Sequence, residues 1–388
     1  MNFLFPYMAR WNAINWTRYH QIFSQIAKLG HQVYVFQPPS QRSEETNYQE
    51  IEMPIPANFH LNEIALNQTL WKMKFPLNKL VKKGYYSLAS TSQVQRFIRE
   101  HQIDVMLLYN IPQYPLLNVK NCPIIFDFAD DYIEMLRHEL GALHRLQILR
   151  FGQYLLNRMI RRSNMTLAVS KVLGDKIGNT ARVLPNGVDL SEFKAGSGAE
   201  IRQKYEKPII GFIGSFEYFI DFNLILKAAA KMRDKTFLLV GSGRELNWIK
   251  SRVEAENLSN VHLTGGVPHN MISRYIDAMD ICLNIFKKTP VSHSACPIKL
   301  FEYLAMKKPV ISTRLDEVER INESFLYYAD TVDELQASIE RILEHPEESK
   351  SMIEKGYRVV EQKYNWDIIG REFVRLAEEA VAKRICLN

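Results

Sequence analysis

The sequence predicts an α/β protein of two doubly wound domains facing a central cleft. Three observations predict it. Short apolar runs rich in Val, Ile and Phe alternate with helical patterns, which implies parallel sheets with right-handed crossovers. The alternation breaks at AGSGAEIRQKYEKP (195–208), a small, polar and charged stretch, and then begins again. The chain has 388 residues, too many for one comfortable core and about right for two.

The elements follow in order. NFLF reads as the first strand. Thr17 to Leu29 reads as a helix with Gly30 as its stop, and HQVYVF as the next strand. DVMLLY, PIIFDF and MTLAVS are buried strands, and ARVLPNGVDL runs from a strand into an Asn-Gly turn. After the break, PIIGFIG is a strand ending in glycine, Asn223 to Met232 is helical, TFLLVGSG is strand then turn, and Glu245 to Glu256 is helical. NVHLTG, DICLNIF and PVIST complete a second sheet. Asp330 to Arg384 is nearly all helical, broken at His345-Pro346 and around Tyr364 to Trp366. The expected boundaries are a first domain at 1–194, a linker at 195–208, a second domain at 209–364, and a last helix at 365–388 that packs back on the first domain. Open sheets of this kind bind ligands beyond the carboxyl ends of their strands. The loops after PIIFDF, PIIGFIG, TFLLVG and DICLNIF are therefore the places to look.

Composition narrows the class. Hydrophobic residues make up 46% and charged residues 24%, which excludes a disordered chain. Cys122, Cys282, Cys296 and Cys386 lie far apart with no C-x-x-C pair, which speaks against a zinc site or a disulfide framework and suits a reducing compartment. The N-terminus carries Arg10 and polar residues where a signal peptide needs an apolar run, and no apolar stretch reaches membrane-spanning length. The expectation is a soluble, cytoplasmic protein. The formal net charge is +6. Lys72, Lys74, Lys79, Lys82 and Lys83 lie among Leu, Trp, Phe and Tyr in LWKMKFPLNKLVKKGYY. Arg145, Arg150, Arg158 and Arg161 fall in a helical pattern with Leu146, Leu149, Leu155 and Leu156. Basic residues beside apolar ones suit the anionic inner face of a plasma membrane. Nucleic acid and a plain solvated face are the alternatives. All these residues lie in the first half of the chain, which favours peripheral membrane contact by the first domain and no nucleic-acid partner.

Two constellations carry chemistry. The first is CPIKLFEYLA (296–305). Pro297 suits the first helical position, followed by Ile298. Leu300, Phe301 and Leu304 point one way, toward a sheet, while Lys299, Glu302 and Tyr303 share another face. A helix start offers free N–H groups and a partial positive charge, which together attract phosphate, and Lys299 adds a full charge. Glu302, one turn on, can accept hydrogen bonds from two sugar hydroxyls. A lysine for diphosphate and a carboxylate for ribose describe a nucleotide site; a surface Lys299–Glu302 ion pair is the alternative. The second constellation is FDFADDY (126–132). It clusters Asp127, Asp130 and Asp131 at the end of a strand, where carboxylates raise one another's pKa and one can serve as a base. Otherwise Asp130 or Asp131 caps the next helix. The spacing is not that of a D-x-D metal motif. His20, His31 and His138 read as ordinary helix or loop residues; His293 precedes the nucleotide helix.

PNGVDLSEF (185–193), IIGFIGSFEYFIDF (209–222), FLLVGSG (237–243), NVHLTGGVP (260–268), DICLNIF (280–286) and SACPIKLFEYLAMKKPVIST (294–313) occur in an order that resembles the retaining GT-B glycosyltransferases of family 4, especially the bacterial polysaccharide branch of teichuronic-acid type. In the first half the resemblance rests on the W-x-x-x-x-x-x-R opening through Arg18, on GHQVYVFQPP and on FDFADDY. It implies two Rossmann-like domains, with an acceptor domain first and a nucleotide-sugar domain second. It implies no metal and no cofactor beyond the nucleotide-diphosphate sugar substrate, and a glycan or lipid-linked acceptor in surface polysaccharide synthesis. Gly214-Ser215 would approach the diphosphate, Lys299 would neutralise it, Glu302 would bind ribose, and Gly266 and Val267 would sit near the base. His293 would meet the donor. Gly241-Ser-Gly243 is either a phosphate contact or a plain turn. Two features depart from the pattern. Ser294 stands where the family carries a first glutamate. The loop SFEYFID has no base, so Arg18 with Lys287 or Lys288 is expected to take over phosphate neutralisation. The expected reaction is retaining, metal-independent sugar transfer. The alternatives are an inverting glucuronosyltransferase-like reaction with Asp131 as base, a nucleotide-sugar 2-epimerase, and a non-catalytic membrane-associated binding protein.

Overall fold

The computed structural model describes residues 1–12, 16–39, 55–67, 69, 78–140, 145–178 and 180–385. It divides into two compact units, Met1–Leu184 with Gly370–Asn388, and Pro185–Ile369.

The first unit is built on a seven-stranded sheet in the order β3-β2-β1-β4-β5-β6-β7, with β1 Asn2–Pro6, β2 Gln32–Gln37, β3 Phe59–Glu63, β4 Val105–Leu108, β5 Ile124–Phe128, β6 Met165–Ala168 and β7 Arg182–Val183. Every pairing is parallel. The central strands VMLL and IIFDF are buried along their whole length, as strands covered on both faces must be. The helices are α1 (Arg18–Lys28), α2 (Asn78–Glu100), α3 (Tyr132–Glu139), α4 (Arg145–Arg162) and α5 (Lys171–Lys176). Ser170 caps α5 through Leu173 N at 3.0 Å. Three of these elements escaped the sequence reading, the short α5 among them. Strand β3 is an edge strand whose polar His60 and Asn62 hide its pattern. Helix α2 buries Tyr86, Ser87, Ser90, Val94 and Ile98. Its helical stripe is disguised by two serines, whose hydroxyls are satisfied by Lys83 O and Ser87 O at 3.0 Å each. Of the basic run, Lys72 and Lys74 lie outside the described residues.

The second unit carries a six-stranded sheet in the order β10-β9-β8-β11-β12-β13. Its strands are β8 Ile209–Ile213, β9 Thr236–Val240, β10 Val261–Gly265, β11 Ile281–Asn284, β12 Val310–Ser312 and β13 Tyr327–Tyr328, again all parallel. The remaining helices are α6 (Ala199–Arg202), α7 (Phe222–Lys231), α8 (Leu246–Ala255), α9 (Ile272–Ala278), α10 (Pro290–His293), α11 (Ile298–Ala305), α12 (Asp316–Ile321), α13 (Val332–Glu344), α14 (Pro346–Lys363) and α15 (Trp366–Ile385). Asp221 caps α7 through Leu224 N at 3.0 Å, and Thr331 with Glu334 forms a capping box on α13.

The domain boundaries differ from the expected ones. The stretch 195–208 belongs to the second unit. It contains α6, and the Gly196 and Gly198 amides donate to Asp277 at 3.0 and 2.7 Å. A side chain at Gly198 would collide with the Arg274 carbonyl. A polar composition thus signalled a packed turn, because its partners lie about eighty residues away. The division instead falls between Leu184 and Pro185. Within α15, residues from Gly370 onward count with the first unit. There Phe373 packs on Phe3 and Phe23 with ring centroids 6.1 and 6.5 Å apart, and Gly370 lies against Gln25. No helix among the described residues is long and apolar enough to cross a membrane.

In both sheets the order reverses once, between β1 and β4 and between β8 and β11. Such reversal points open a crevice at the carboxyl ends of the strands, because the connections leave in opposite directions. Both crevices are lined by residues of chemical interest.

Candidate nucleotide and acceptor sites

Helix α11 lies beside the reversal point of the second sheet. Leu300, Phe301, Tyr303 and Leu304 are buried, and Phe301 stacks on Tyr364 at 4.5 Å. Tyr303 does not share the outer face with Lys299, as the sequence suggested. Its hydroxyl accepts from Ile213 N at 2.9 Å, so it is a core residue that pins the helix to the end of β8. Helical spacing alone does not reveal that a phenol has a strand amide to satisfy. Pro297 is the cap and Ile298 the first helical residue, one position later than expected. No side chain caps this helix start, which leaves first-turn N–H groups open to a ligand.

Lys299 Nζ stands 3.8 Å from the centre of the Phe212 ring and 5.7 Å from that of Phe286. Phe212 belongs to β8 and Phe286 follows β11, so the ammonium sits at the reversal point itself. Among the described residues the Lys299 side chain makes no hydrogen bond or ion pair, and neither does that of Glu302, which is 8% exposed. The surface ion pair is therefore not formed. Burial lowers the Lys299 ammonium to about 7, with Glu302 opposing. Burial raises the Glu302 carboxyl to about 6, with His269 and Lys299 opposing and Glu192 adding to the rise. Aromatic faces attract the cation but replace little of its lost hydration.

Three glycine loops pack on one another, and the first of them lies against this lysine. A Cβ on Gly214, whose φ is +135°, would stand 2.8 Å from Lys299 Nζ. A Cβ on Gly241 would collide with Gly214 O, and one on Gly243 would lie 2.5 Å from Phe216 O. The loops are laced by Phe216 N to Ser242 O at 2.9 Å and Gly241 N to Gly265 O at 3.0 Å. Gly241 and Gly243 are thus required by loop-on-loop packing, which holds Gly214 and exposed Ser215 beside the lysine. Exposed Gly266 and half-buried Val267 continue the same rim. Asn186 Nδ2 donates to Cys296 O at 2.6 Å, tying the PNG turn to the segment just before Pro297.

Other predicted residues are committed elsewhere. His293 Nδ1 pairs with Asp316 Oδ1 of α12 at 2.8 Å. The Ser294 hydroxyl donates to Pro290 O at 3.0 Å. Lys288 pairs with Asp330 at 2.8 Å, whereas exposed Lys287 makes no ion pair among the described residues. Sequence reasoning missed three groups. Arg244 reaches across from the β9 loop to Glu217 of the β8 loop at 3.3 Å. With no base in SFEYFID, Arg18, Lys287 and Lys288 were the expected substitutes, and the arginine of GSGRE was overlooked. His269 and Glu192 pair at 3.1 Å and act electrostatically on Glu302. The third is Phe212, which faces the lysine.

In the first unit, Arg18 is a structural residue. Its Nε and Nη2 donate to Asp127 at 2.9 and 3.2 Å, and Nη2 also donates to Leu184 O at 2.7 Å. Both partners are buried. The expectation that Arg18 neutralises donor phosphate is thereby corrected, because the fully buried Asp127 already compensates it. Asp131 accepts from Glu134 N at 3.2 Å as the cap of α3 and pairs with Lys176 at 2.7 Å. Asp130 is solvent-accessible. The protein packed around it raises its carboxyl to about 7; Asp127 adds to this and Arg18 opposes it. Tyr7 and Tyr109 flank the reversal between β1 and β4, with Tyr19 4.5 Å from Tyr109. Among the described residues no group of three His, Cys, Asp or Glu is placed to hold a metal.

Comparison with known proteins agrees with this geometry. The family model described as Glycosyltransferase Family 4 matches residues 17–192, and the one described as Glycosyl transferases group 1 matches residues 207–345. A protein assigned to teichuronic acid biosynthesis as a glycosyltransferase in Bacillus subtilis (strain 168) is 28% identical over 235 residues, 57% of this chain and 58% of that relative. The match thus spans little more than half the relative's length. Sucrose-phosphate synthase from Thermosynechococcus elongatus superposes with a TM-score of 0.80 at 15% identity, over 99% of this chain and 100% of that one. The Anabaena protein HepE, in complex with UDP and glucose, superposes with a TM-score of 0.70 at 14% identity, over 97% and 99%. At these identities the structural likeness establishes the fold, a two-domain α/β GT-B architecture.

Proposed function

The chain belongs to the family-4-like GT-B glycosyltransferases, and from that premise we propose that its second unit binds a nucleotide-diphosphate sugar at Lys299 and Glu302. The sugar would pass to a glycan or lipid-linked acceptor in polysaccharide synthesis. The observation that carries the reading is a half-buried lysine against two aromatic rings and a buried glutamate, one turn apart on an uncapped helix start, neither bonded to the other. A diphosphate supplies the counter-charge that Lys299 lacks, and ribose hydroxyls supply the donors that Glu302 lacks. HepE in complex with UDP and glucose, and the relative assigned to teichuronic acid biosynthesis, support the donor class and the acceptor class respectively.

In the retaining reaction the acceptor hydroxyl oxygen bonds to the anomeric carbon as the carbon–oxygen bond to the diphosphate breaks. The departing phosphate keeps the electron pair and takes the hydroxyl proton. Lys299 and the first-turn amides of α11 stabilise the charge that gathers on it. This arrangement asks no metal to neutralise the diphosphate, and donor binding is expected to persist in excess chelator. Tyr7, Tyr109 and Asp130, at the reversal point of the first sheet, form the acceptor side.

One observation favours an inverting reading with Asp130, not Asp131, as general base. The exposed Asp130 carboxylate makes no hydrogen bond or ion pair among the described residues and is raised by its neighbours, whereas Asp131 is held by a cap and an ion pair. The test is a thermal-shift screen with UDP-, GDP- and ADP-sugars, followed by NMR of the product's anomeric configuration. No shift with any donor sinks the donor site. Inversion, abolished by Asp130→Asn, replaces retention.

A further inference from the structure

Helix α4 has an outward face that neither the donor nor the acceptor site uses. Its inner stripe, Leu149, Leu156 and Met159, is buried, and a side chain at Gly152 would press on Leu136 at 3.3 Å and Ile133 at 3.5 Å of α3. The outer face is unusual. Leu146 and Phe151 are each 62% exposed and Tyr154 is 48% exposed. Arg150 and Arg161 are exposed and make no ion pair or hydrogen bond among the described residues. Arg158 lies 5.9 Å from the Tyr154 ring and donates to its hydroxyl at 3.0 Å. The helix, RLQILRFGQYLLNRMIRR, contains no aspartate or glutamate.

A solvated helix face balances arginines with carboxylates three or four residues away. This one sets them beside exposed leucine, phenylalanine and tyrosine. The steps Leu146–Arg150–Tyr154 and Phe151–Tyr154–Arg158–Arg161 follow the three- and four-residue spacing of neighbours on a helix. Apolar and cationic groups therefore alternate over one continuous patch. We propose that this face of α4 docks on an anionic phospholipid surface, with Phe151, Leu146 and Tyr154 entering the headgroup boundary and Arg150, Arg158 and Arg161 meeting lipid phosphates. Aromatic and aliphatic side chains flanked by arginines are the chemistry of a helix lying in a membrane interface. A second copy of this face is a poor partner, since like charges would oppose one another. The inference is independent of the glycosyl-transfer reading, because it uses no residue of either site.

The test uses the full chain and sedimentation with sucrose-loaded vesicles of phosphatidylglycerol with phosphatidylcholine, and of phosphatidylcholine alone. Binding is expected on the anionic vesicles only, weakening as salt rises. Each arginine is expected to contribute about fivefold, so R150Q/R158Q/R161Q lowers the partition coefficient about a hundredfold. L146S/F151S lowers it at least tenfold. Both variants keep the wild-type circular dichroism, melting temperature and donor binding. Equal binding to both vesicle types, or wild-type binding by either variant, overturns the proposal. So does an oligonucleotide that binds the arginine face as tightly as the anionic vesicles, or a concentration-dependent dimer abolished by L146S/F151S.

Discussion

With the donor bound at Lys299 as proposed, binding becomes a protonation event. In the free protein the ammonium is held near 7 by burial against Phe212 and Phe286, with the Glu302 charge opposing. A bound diphosphate stabilises the charged form and raises that value. Binding must then take up a proton whenever the pH lies above about 7, and the affinity must fall as pH rises. Where only the charged form binds, the apparent dissociation constant grows about tenfold per pH unit above that value. Glu302 sets the opposite limb. Its carboxyl lies near 6, so below that pH it loses acceptor capacity for ribose, and affinity falls again. The optimum is expected between about 6 and 7.

The assay is calorimetric titration with an intact nucleotide-diphosphate sugar, without acceptor, from pH 5 to pH 9 in buffers of differing ionisation heat. The diester form is needed because a terminal phosphate titrates near pH 6 itself. Proton uptake approaching one per site is expected at pH 8. Lys299→Arg should bind more weakly at pH 6.5, because guanidinium does not fit beside Gly214. It should nevertheless show no fall from pH 7 to pH 9, since arginine stays charged. An affinity that stays level across that range in the wild type, or Lys299→Met binding as tightly as wild type, refutes the reasoning.

Further outcomes follow from the same contacts. Gly214→Ala places a methyl 2.8 Å from Lys299 Nζ at a φ of +135°, so donor affinity should drop at least tenfold while the melting temperature falls by only a few degrees; unchanged affinity removes Gly214 from the site. Arg18→Met leaves Asp127 buried without its partner and should cost about 3–5 kcal/mol in urea unfolding, with donor affinity in the folded fraction unaltered. Gly241→Ala should destabilise by at least about 2 kcal/mol, because both its backbone angle and Gly214 O oppose a side chain. Asp131→Asn loses a charged cap and an ion pair and should cost about 1 kcal/mol, whereas Asp130→Asn should leave stability within about 0.5 kcal/mol while lowering the rate of transfer; an unchanged rate removes Asp130 from the chemistry.

What the sequence made legible was what local rules decide. Both parallel sheets were readable because strands buried on two faces are apolar at every position, as in IIGFI and VMLL. That Lys299 and Glu302 share the start of one helix was readable because a proline and a helical spacing fall within six residues. The unreadable part had partners far along the chain. Arg18 looked like a free cation, and its carboxylate stands 109 residues away. Arg244 and Glu217 meet only because β8 and β9 are neighbours. Tyr303 looked like a ligand-facing phenol until a strand amide claimed it. The same distinction separates the two aspartates. Asp131 obeys the local capping rule and is therefore ordinary. Asp130, one residue earlier, has no local rule to obey, and only the surrounding fold lifts it toward neutrality. A carboxylate that local structure does not need and the tertiary environment perturbs is the one available for chemistry. On that ground Asp130, rather than its capped neighbour, is the residue we propose for proton transfer in the first unit.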